Sequence, residues 1–538
     1  NIGIELIAKE CFFFKNLPKG TDRMNHNSTF LKSIIENRAV RQTVLRTVSA
    51  AIMLAACFFT NTSFCADSSH PNIVLIFTDD MGWGDLPGFT TTSGIKTPNI
   101  DRLIQEGTKF NDFYVAQAVC TASRAALMTG CYANRVGLEG ALNHTSTTGI
   151  SSEEELLPEL LMKAGYATGM FGKWHLGLPP FFAPSKNGFQ EWLGIPYSND
   201  NTKYHPVLSD SMPPLPLYDG NTVIEKDPDQ RLFTKRLTDR SVNFIKKNKD
   251  QPFFLYVPHI MPHVPIFASD RFRGKSARGL YGDVIEEIDW SVGEIVKAID
   301  QHNLTNNTLI IFTNDNGPFL SYGTHAGQSG VLRGGKLTTF EGGVRVPMVA
   351  RWPGTIPAAR TCNTPIISID FLPTFCHFAK APLPNKPIDG INIADVLQGS
   401  ATTVDRQDGL VFYAGSELQA LRDGKWKIHF PHKYLIVNGE TRTDGKPAGY
   451  GRLAPQSISN SGIEGIASRH GYVVRKLPLS LYDLSTDISE STNIASDHPE
   501  IVKKLTARAD RYRKTLGDSL NNMKGTQTRP VGRNNRTE

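Results

Sequence analysis

The stretch NIVLIFTDD, residues 72–80, decides the fold. Residues 72–78 carry no charge and are mostly apolar, and they lie between Pro71 and Asp79. A continuous apolar run of this length is typical of a strand that is buried on both faces of a parallel sheet. Because open α/β sheets bind ligands beyond the carboxyl ends of their strands, the two carboxylates that follow, Asp79 and Asp80, predict a functional site there.

Strand-like and helix-like segments alternate downstream of this stretch. Apolar strand patterns cover 167–177, 252–263 and 308–313, and helical patterns cover 97–110, 151–166, 232–248 and 281–303. For the helix over 151–166 we expect a cap at Ser151 or Ser152 and a stop at Gly165. This alternation predicts an α/β fold: a large mixed, mostly parallel sheet that is flanked by helices on both faces.

The pattern changes near residue 400. Short strands with a turn at Asp423–Gly424 precede a final helix, which predicts a smaller α+β domain built on an antiparallel sheet. We expect 433–471, rich in Gly, Ser and Asn, to be a long surface insertion. The predicted organisation is therefore a leader (1–66), a catalytic domain (67–400), a C-terminal antiparallel-sheet domain (401–516) and a disordered tail (517–538).

The first 66 residues have the pattern of a targeting segment. Arg38, Arg41 and Arg46 precede the apolar run TVSAAIMLAACFFT at 47–60, which is too short to span a bilayer comfortably. We expect translation to start at Met24, cleavage near Ala66 and export to the periplasm or the extracellular space. The sequence LAAC, which ends at Cys57, also resembles a lipoprotein signal, and this second interpretation stays open.

Charge and cysteine content exclude some classes of protein. The net charge of +6 is concentrated at the two ends of the chain, so the body carries no basic surface of the kind that nucleic-acid binding needs. Cysteine pairs with zinc spacing do not occur in the sequence. Outside the leader, Cys362 and Cys376 would either form a disulfide or remain buried thiols, and the sequence does not decide between the two.

Polar side chains follow two of the predicted strands. Asp79 and Asp80 follow the first, and Asp315 and Asn316 follow the strand TLIIFT at 308–313. If these strands are neighbours, three carboxylates and one amide meet at one edge of the sheet, where a hard divalent cation such as Ca²⁺ or Mg²⁺ would offset their repulsion. The alternative is that these residues only cap helices and form turns.

Cationic and proton-carrying groups also cluster near predicted strand ends and loops. Lys173 and His175 in GKWHLG point to the same face of an extended segment, His263 lies between prolines, and Lys336 lies in a glycine-rich loop. Each could be an ordinary structural or solvated residue. Together with Arg124 they would suit an anionic, tetrahedral substrate.

The stretch VCTASRAALMTG, 119–130, predicts a helix of small residues. Cys120 and Arg124 are four residues apart and therefore share a helical face. A helix N-terminus carries about half a positive charge and offers free N–H groups to an anion. Cys120 is thus a nucleophile seated in an anion site, a buried filler or a residue that awaits modification.

Several motifs resemble one enzyme family. CTASR at 120–124 resembles the signature Cys-x-(Pro or Ala)-x-Arg of formylglycine-dependent (type I) sulfatases, with Ala122 in place of the more common Pro. Further motifs match in the family's order across about residues 71–515: FTDDMGWGD, TPNIDRL, GKWHLG, TNDNG, GGKLTTFEGGVRVP and LYDLSTD. The resemblance is strongest to the arylsulfatase and N-acetylgalactosamine-6-sulfatase group.

The resemblance implies a fold, a cofactor and a set of roles. The fold would be alkaline-phosphatase-like, and Cys120 would be converted to Cα-formylglycine by a separate formylglycine-generating enzyme. One Ca²⁺ per chain would be bound by Asp79, Asp80, Asp315, Asn316 and modified Cys120. The remaining positions that match the family's catalytic residues are Arg124, Lys173, His175, His263 and Lys336.

The implied reaction is hydrolysis of a sulfate ester. A hydrated formylglycine would attack sulfur, His263 or Lys336 would protonate the leaving alcohol, and His175 would help to release sulfate. We expect an aryl sulfate or, more plausibly, a sulfated carbohydrate as substrate, with specificity set by loops such as 179–232 and 433–471. The alternatives are a phosphatase or phosphodiesterase of the alkaline phosphatase superfamily, and an inactive protein that binds sulfated glycans.

Overall fold

The computed structural model describes residues 70–460 and 462–534. The leader therefore lies outside the described residues, as do the predicted start at Met24, the cleavage near Ala66 and the alternative anchor at Cys57. Across the part that is described, every helix is too short or too polar to cross a membrane.

The described chain contains 22 strands and ten α-helices. The strands are β1 (Asn72–Thr78), β2 (Thr108–Phe110), β3 (Phe113–Tyr114), β4 (Thr148–Gly149), β5 (Ala167–Lys173), β6 (Glu191–Ile195), β7 (Pro216–Asp219), β8 (Thr222–Lys226), β9 (Phe253–Pro258), β10 (Thr308–Asn314), β11 (Met348–Arg351), β12 (Arg360–Cys362), β13 (Ile366–Ile367), β14 (Leu410–Ala414), β15 (Glu417–Asp423), β16 (Trp426–His429), β17 (His432–Val437), β18 (Tyr472–Leu477), β19 (Ser480–Asp483), β20 (Gly517–Asp518), β21 (Met523–Lys524) and β22 (Gly532–Arg533). The helices are α1 (Pro98–Glu106), α2 (Cys120–Thr129), α3 (Leu157–Lys163), α4 (Phe233–Asn248), α5 (Gly279–Gln301), α6 (Glu341–Val344), α7 (Phe371–Phe378), α8 (Ala394–Gln398), α9 (Ile463–His470) and α10 (Pro499–Leu516).

A ten-stranded sheet organises the larger part of the fold. Its order is β12-β2-β11-β10-β1-β9-β5-β6-β7-β8. The five central strands from β10 to β6 run parallel, and β11 and β7 pair antiparallel at either side of them. All seven residues of β1 are buried, as its continuous apolar run predicts. The expected mixed, mostly parallel sheet is confirmed.

Helices cover both faces of this sheet. Along β1, Ile73, Leu75 and Phe77 belong to one apolar cluster, which includes residues of α3 and α7. Val74 and Ile76 belong to a second cluster, together with residues of α1, α4 and α5. This division follows from the strand period of two, which sends successive side chains to opposite faces.

The C-terminal part contains a separate antiparallel sheet. Its order is β14-β15-β16-β19, and the predicted turn at Asp423–Gly424 joins β15 to β16. Helix α10 packs against this sheet through Leu505, Ala509 and Leu516, which share a buried cluster with β14 and β15. The fold class is therefore as expected, while the domain boundaries at 67–400 and 401–516 stay predictions.

The helix predicted over 151–166 is much shorter in the structure. It covers only Leu157–Lys163, and Ser151 accepts from the backbone N–H of Glu153 in a turn before it. Pro158 occupies the first turn of α3, where its missing N–H costs no helical hydrogen bond. Proline favours the start of a helix over its interior, so the helix begins at Leu157. The predicted cap at Ser151 or Ser152 was therefore wrong.

Two segments are more ordered than their composition predicts. Most of β17 and all of α9 lie within 433–471. Strand β17 pairs over six residues with β18, which follows this segment, and α9 packs against both strands, so the segment is not merely a surface insertion. In the tail, β20 pairs with β21, and β22 pairs with β4. The predicted disorder of 517–538 is thus wrong for 517–534. Backbone pairing and the ion pair between Arg529 and Glu154, at 2.8 Å, replace an apolar core there.

Cys362 and Cys376 are both free thiols. Both are almost fully buried in the large apolar cluster below the sheet, at the end of β12 and within α7. The disulfide alternative is therefore excluded, and these cysteines pack as small apolar side chains.

A glycine contact between β5 and β6 gives a stability prediction. A Cβ on Gly194 would lie 1.7 Å from the carbonyl oxygen of Gly172, so β6 or the strand that carries Lys173 would have to shift. We expect Gly194→Ala to lower the free energy of unfolding by at least about 1–3 kcal/mol. Chemical denaturation measures the change.

Gly451→Ala is the matched control, because nothing lies within 4 Å of its added Cβ. It should leave the unfolding free energy within about 0.5 kcal/mol of the parent. Equal stability of the Gly194→Ala and Gly451→Ala variants would contradict the close packing of β5 and β6.

Candidate active site

The pairing of β1 with β10 brings the strand-end carboxylates together. Thr78 is in register with Asn314, so the residues that follow each strand leave the sheet side by side. The backbone N–H of Asp80 donates to Asp315 Oδ1 at 3.1 Å, and Asn316 Nδ2 donates to Asp80 Oδ1 at 2.7 Å. Asp79, Asp80, Asp315 and Asn316 are all buried.

Cys120 is the first residue of α2 and faces these acids. Its Sγ lies 3.4 Å from Asp79 Oδ1 and 4.0 Å from Asp80 Oδ1. Every residue of α2 is buried, and the small side chains of Ala122 and Ala125 allow it to pack deep inside the molecule. Burial and the nearby charge of Asp79 raise the pKa of the Cys120 thiol well above its ordinary value. The unmodified side chain is therefore a neutral thiol, not a thiolate nucleophile.

Arg124 lies one turn further along α2 and joins two of the acids. Its Nη2 is 2.8 Å from Asp315 Oδ2 and 3.6 Å from Asp79 Oδ2. Burial and the charge of Asp79 raise the pKa of Asp315 to about 7, although Arg124 opposes the shift. Burial alone would also raise the pKa of Asp79, but the charges of Lys173 and Arg124 hold it well below its usual value.

Two lysines complete the charge arrangement. Lys173, the last residue of β5, places Nζ 2.6 Å from Asp79 Oδ2. Lys336 places Nζ 2.6 Å from Asp80 Oδ1 and 3.3 Å from Cys120 Sγ. Three carboxylates and three cations thus alternate around Cys120, and the formal charge of this set is zero.

The two histidines differ in what their ring nitrogens contact. His175 Nε2 lies 2.7 Å from the carbonyl oxygen of Leu142, to which it donates, whereas its buried Nδ1 has no partner. His263 Nε2 is 3.5 Å from Asp80 Oδ2 and 3.2 Å from Ser198 Oγ. Burial, with the charge of Lys173 beside His175 and of Lys336 beside His263, lowers the pKa of both rings. Both are therefore neutral and able to accept a proton.

Three residues at the site have left-handed backbone conformations. Asp80 has φ 66°, His175 has φ 62° and Leu337, next to Lys336, has φ 71°. Residues other than glycine rarely adopt such angles, and the cost is of order 1–3 kcal/mol where they do. The surrounding contacts therefore hold these side chains in orientations that the backbone alone disfavours.

The residues at the strand ends fit a hard cation. Among the described residues, ligand atoms of Asp79, Asp80, Cys120 and His263 lie within 4.8 Å of one another. Asp315 is not in that group, and its oxygens accept from Arg124 and from the backbone of Asp80. Asn316 Oδ1 is buried without a partner. An unpaired amide oxygen beside three carboxylates is the donor set that Ca²⁺ prefers.

A cavity of about 350 Å³ opens over Cys120. His175, His263 and Lys336 line it together with residues from the C-terminal part. The sequence analysis did not single out Ser198 or Asp200, which also line the cavity and follow β6 in the stretch PYSND. No local pattern distinguishes them from ordinary turn residues, so only the folded chain identifies them.

Of the predicted site residues, four line this cavity: Cys120, His175, His263 and Lys336. The other six are connected to Cys120 by the buried contacts described above. The aromatic side chains of 181–200, by contrast, mostly serve packing. Phe182, Phe189 and Trp192 are buried, and Phe189 stacks on Phe254 with ring centres 6.1 Å apart. Packing is therefore the main role of those three rings.

Comparison with known proteins agrees with this geometry. Residues 71–381 match the family model described as Sulfatase, and residues 405–535 match the C-terminal region of aryl-sulfatase. Human arylsulfatase A is 38% identical over 81% of this chain and 86% of its own length. N-acetylgalactosamine-6-sulfatase of Canis lupus familiaris is 39% identical over 83% of this chain and 86% of its own length.

A solved structure shows the same fold. A crystal structure of Ps i-CgsB in complex with k-i-k-neocarrahexaose has 28% sequence identity and a TM-score of 0.67, and the likeness covers 82% of this chain and 92% of that one. The family-model match spans more than half of the chain, and the curated relatives are enzymes that hydrolyse sulfate esters. The chain therefore belongs to the sulfatase family and is a sulfuric ester hydrolase.

Proposed function

We propose that the chain hydrolyses sulfate esters of carbohydrates through Cα-formylglycine formed from Cys120, with Ca²⁺ bound beside it. The observation that carries this proposal is the position of Cys120. It lies at the base of the cavity, between Asp79, Asp80 and Lys336 and at most 4.0 Å from each. A neutral thiol in this setting is a poor nucleophile, which favours its role as the precursor of a modified residue.

The metal would be held by Asp79, Asp80, Asp315 and Asn316, with residue 120 completing the site. Without an ion, the three carboxylates and three cations cancel, and the site would attract an anionic sulfate ester only weakly. A bound Ca²⁺ adds two positive charges and would stabilise the negative charge that develops on the sulfate oxygens. The buried, unpaired Asn316 Oδ1 supports this assignment.

Formylglycine supplies chemistry that a simple alcohol lacks. Its hydrate would offer one hydroxyl to attack sulfur and a second whose deprotonation restores the aldehyde and releases sulfate. His175 is suited to take that proton, because its Nε2 donates to Leu142 while the buried Nδ1 stays unpaired. This supports the base role proposed for His175.

The remaining cations would orient the substrate and complete the ester cleavage. Lys173 and Lys336 would neutralise sulfuryl oxygens, and Arg124 would hold Asp79 and Asp315 in place. As the S–O bond breaks, the leaving alcohol needs a proton, which Lys336, or His263 in its protonated form, would donate. Both side chains line the cavity above Cys120.

Two relatives support a carbohydrate substrate. One has the name N-acetylgalactosamine-6-sulfatase, and one solved structure contains k-i-k-neocarrahexaose. The proposal further includes a separate maturation enzyme that oxidises Cys120, and export of the chain. Hydrolysis of sulfate esters but not phosphate esters, assayed side by side, is the expected result.

Replacement of Cys120 tests the nucleophile. Cys120→Ser should release one equivalent of alcohol and then stall as a sulfated enzyme, because a serine ester of sulfate cannot regenerate an aldehyde. Intact-mass spectrometry measures the adduct. In active wild-type enzyme, the mass of the peptide that contains residue 120 should correspond to the aldehyde or its hydrate.

Cys120→Ala is the control and should be inactive without any adduct. Turnover by Cys120→Ser at the wild-type rate would show that the formylglycine mechanism is wrong. An unmodified thiol in fully active enzyme would do the same.

Calcium removal tests the metal site with a readout other than activity. Wild-type protein treated with a chelator should unfold at a lower temperature, and Ca²⁺ should restore the midpoint. At a Ca²⁺ concentration of 100 times Kd, binding contributes about 2.7 kcal/mol to the free energy of unfolding. Differential scanning calorimetry measures the change.

Asp315→Asn should lose most of this calcium-dependent stabilisation. Asp250→Asn is the matched control, since the Asp250 side chain is 84% exposed and lies outside the site, and it should keep the full response. A wild-type midpoint that does not depend on Ca²⁺ would contradict the metal assignment.

A further inference from the structure

One wall of the cavity comes from a C-terminal unit formed by β17, α9 and β18, and its lining residues lie in β17 and α9. This unit contributes Lys433, Leu435, Ile466, Arg469 and His470 to the cavity lining. Strands β17 and β18 pair over their whole length, and α9 packs against both, so these side chains have defined positions.

Arg469 is a buried cation in this wall without a matching anion. It lies in the last turn of α9 and is 4% exposed. Its Nη1 donates to the carbonyl oxygen of Ser457 at 2.8 Å, while its Nε is buried and has no partner. Among the described residues, no carboxylate lies within the 4.0 Å ion-pair distance of its nitrogens. A buried charge without a counter-ion is costly, so this side chain is poised to accept one.

The other charges of the cavity form no ion pair with Arg469, although the charge of Asp200 opposes the lowering of the Arg469 pKa by burial. Asp200 lines the same cavity, but its carboxylate accepts from Asn201 Nδ2 at 2.8 Å and lies 4.0 Å from His205 Nε2. Lys433, the other cation in this wall, pairs with Glu464 at 3.1 Å and is half exposed. Arg469 is therefore the cation of this wall that has a buried donor, Nε, without a hydrogen-bond partner.

The wall lies close to the catalytic residues. His470 follows Arg469, and its ring centre is 4.9 Å from that of Phe319. Lys336 Nζ, which contacts Asp80 and Cys120, is 4.7 Å from the same Phe319 ring. Phe319 thus separates the cation of the catalytic centre from the end of α9, and the cavity is continuous between the two.

We propose that Arg469 forms a second anion-binding subsite, which takes a carboxylate or a second sulfate on the sugar next to the scissile ester. A guanidinium suits this task, because its planar donors match the oxygens of both groups. The inference rests on the proposed function and narrows it: the preferred substrate is a sulfated oligosaccharide with at least one further negative charge near the ester.

Three disaccharides test the subsite. All carry the scissile sulfate ester on the first ring, and they differ in the second ring. In one the second ring is neutral, in one it is a uronate, and in one it carries a second sulfate. Wild-type enzyme should show a higher kcat/KM for one or both charged substrates. Because a hydrogen bond to a charged group contributes about 1.5–3 kcal/mol, Arg469→Gln should lower kcat/KM for the preferred charged substrate about 10- to 100-fold, through KM.

The neutral disaccharide and the thermal unfolding midpoint separate binding from folding. Arg469→Gln should retain wild-type kcat/KM on the neutral substrate, and Arg469→Lys should recover part of the loss on the charged one. Arg442→Gln is the charge-matched control. Arg442 is exposed, pairs with Asp444 in the segment between β17 and α9, and lies outside this cavity. That variant should match wild type on all three substrates.

The outcomes distinguish failure of the Arg469 subsite from failure of the proposed carbohydrate sulfatase activity. Equal kcat/KM of Arg469→Gln and wild type on every disaccharide would overturn the subsite, as would an equal loss on the neutral and charged substrates. The substrate with the larger loss identifies carboxylate or sulfate as the preferred anion. Failure of wild-type enzyme to hydrolyse any sulfated disaccharide would instead contradict the proposed carbohydrate sulfatase activity.

Discussion

Alternating buried charges around Cys120 are the constraint on which the rest of the site depends. Asp79 pairs with Lys173, Asp80 pairs with Lys336, and Asp315 pairs with Arg124. Loss of one partner from such a buried pair leaves an uncompensated charge, at a cost of about 3–5 kcal/mol. Each acid therefore fixes the position of a cation beside Cys120, and each cation allows an acid to remain buried.

The sequence predicts those parts of this arrangement that depend on local patterns. The buried run of β1 and the polar residues after β1 and β10 follow from strand period and from the rule that ligands bind at strand ends. The four-residue spacing of Cys120 and Arg124 places both on one face of α2, as expected. From local pattern alone, the acids could equally have been caps and turn residues, and the cations ordinary solvated residues. Only the resemblance to a family assigned them to one active site.

The parts that the sequence could not predict depend on contacts between distant residues. Arg469 lies in a polar segment whose composition is typical of a surface loop, yet β17 and β18 pair across more than thirty intervening residues and bury it. Ser198 and Asp200 have no signature of their own, and their positions follow from the course of the chain after β6. In the tail, main-chain pairing and the contact of Arg529 with Glu154 override a composition that is typical of disorder.

The pairing of β22 with β4 has a consequence for the order in which the molecule assembles. Strand β4 precedes Ile150, whose N–H donates to the carbonyl oxygen of Leu176, the neighbour of His175. Residues 532–533 are synthesised long after residues 148–149, so the support behind the His175 segment forms late. Closing so long a loop is slow compared with local folding. The nascent chain therefore has a period in which its central sheet can form while the backing of the His175 segment is still missing.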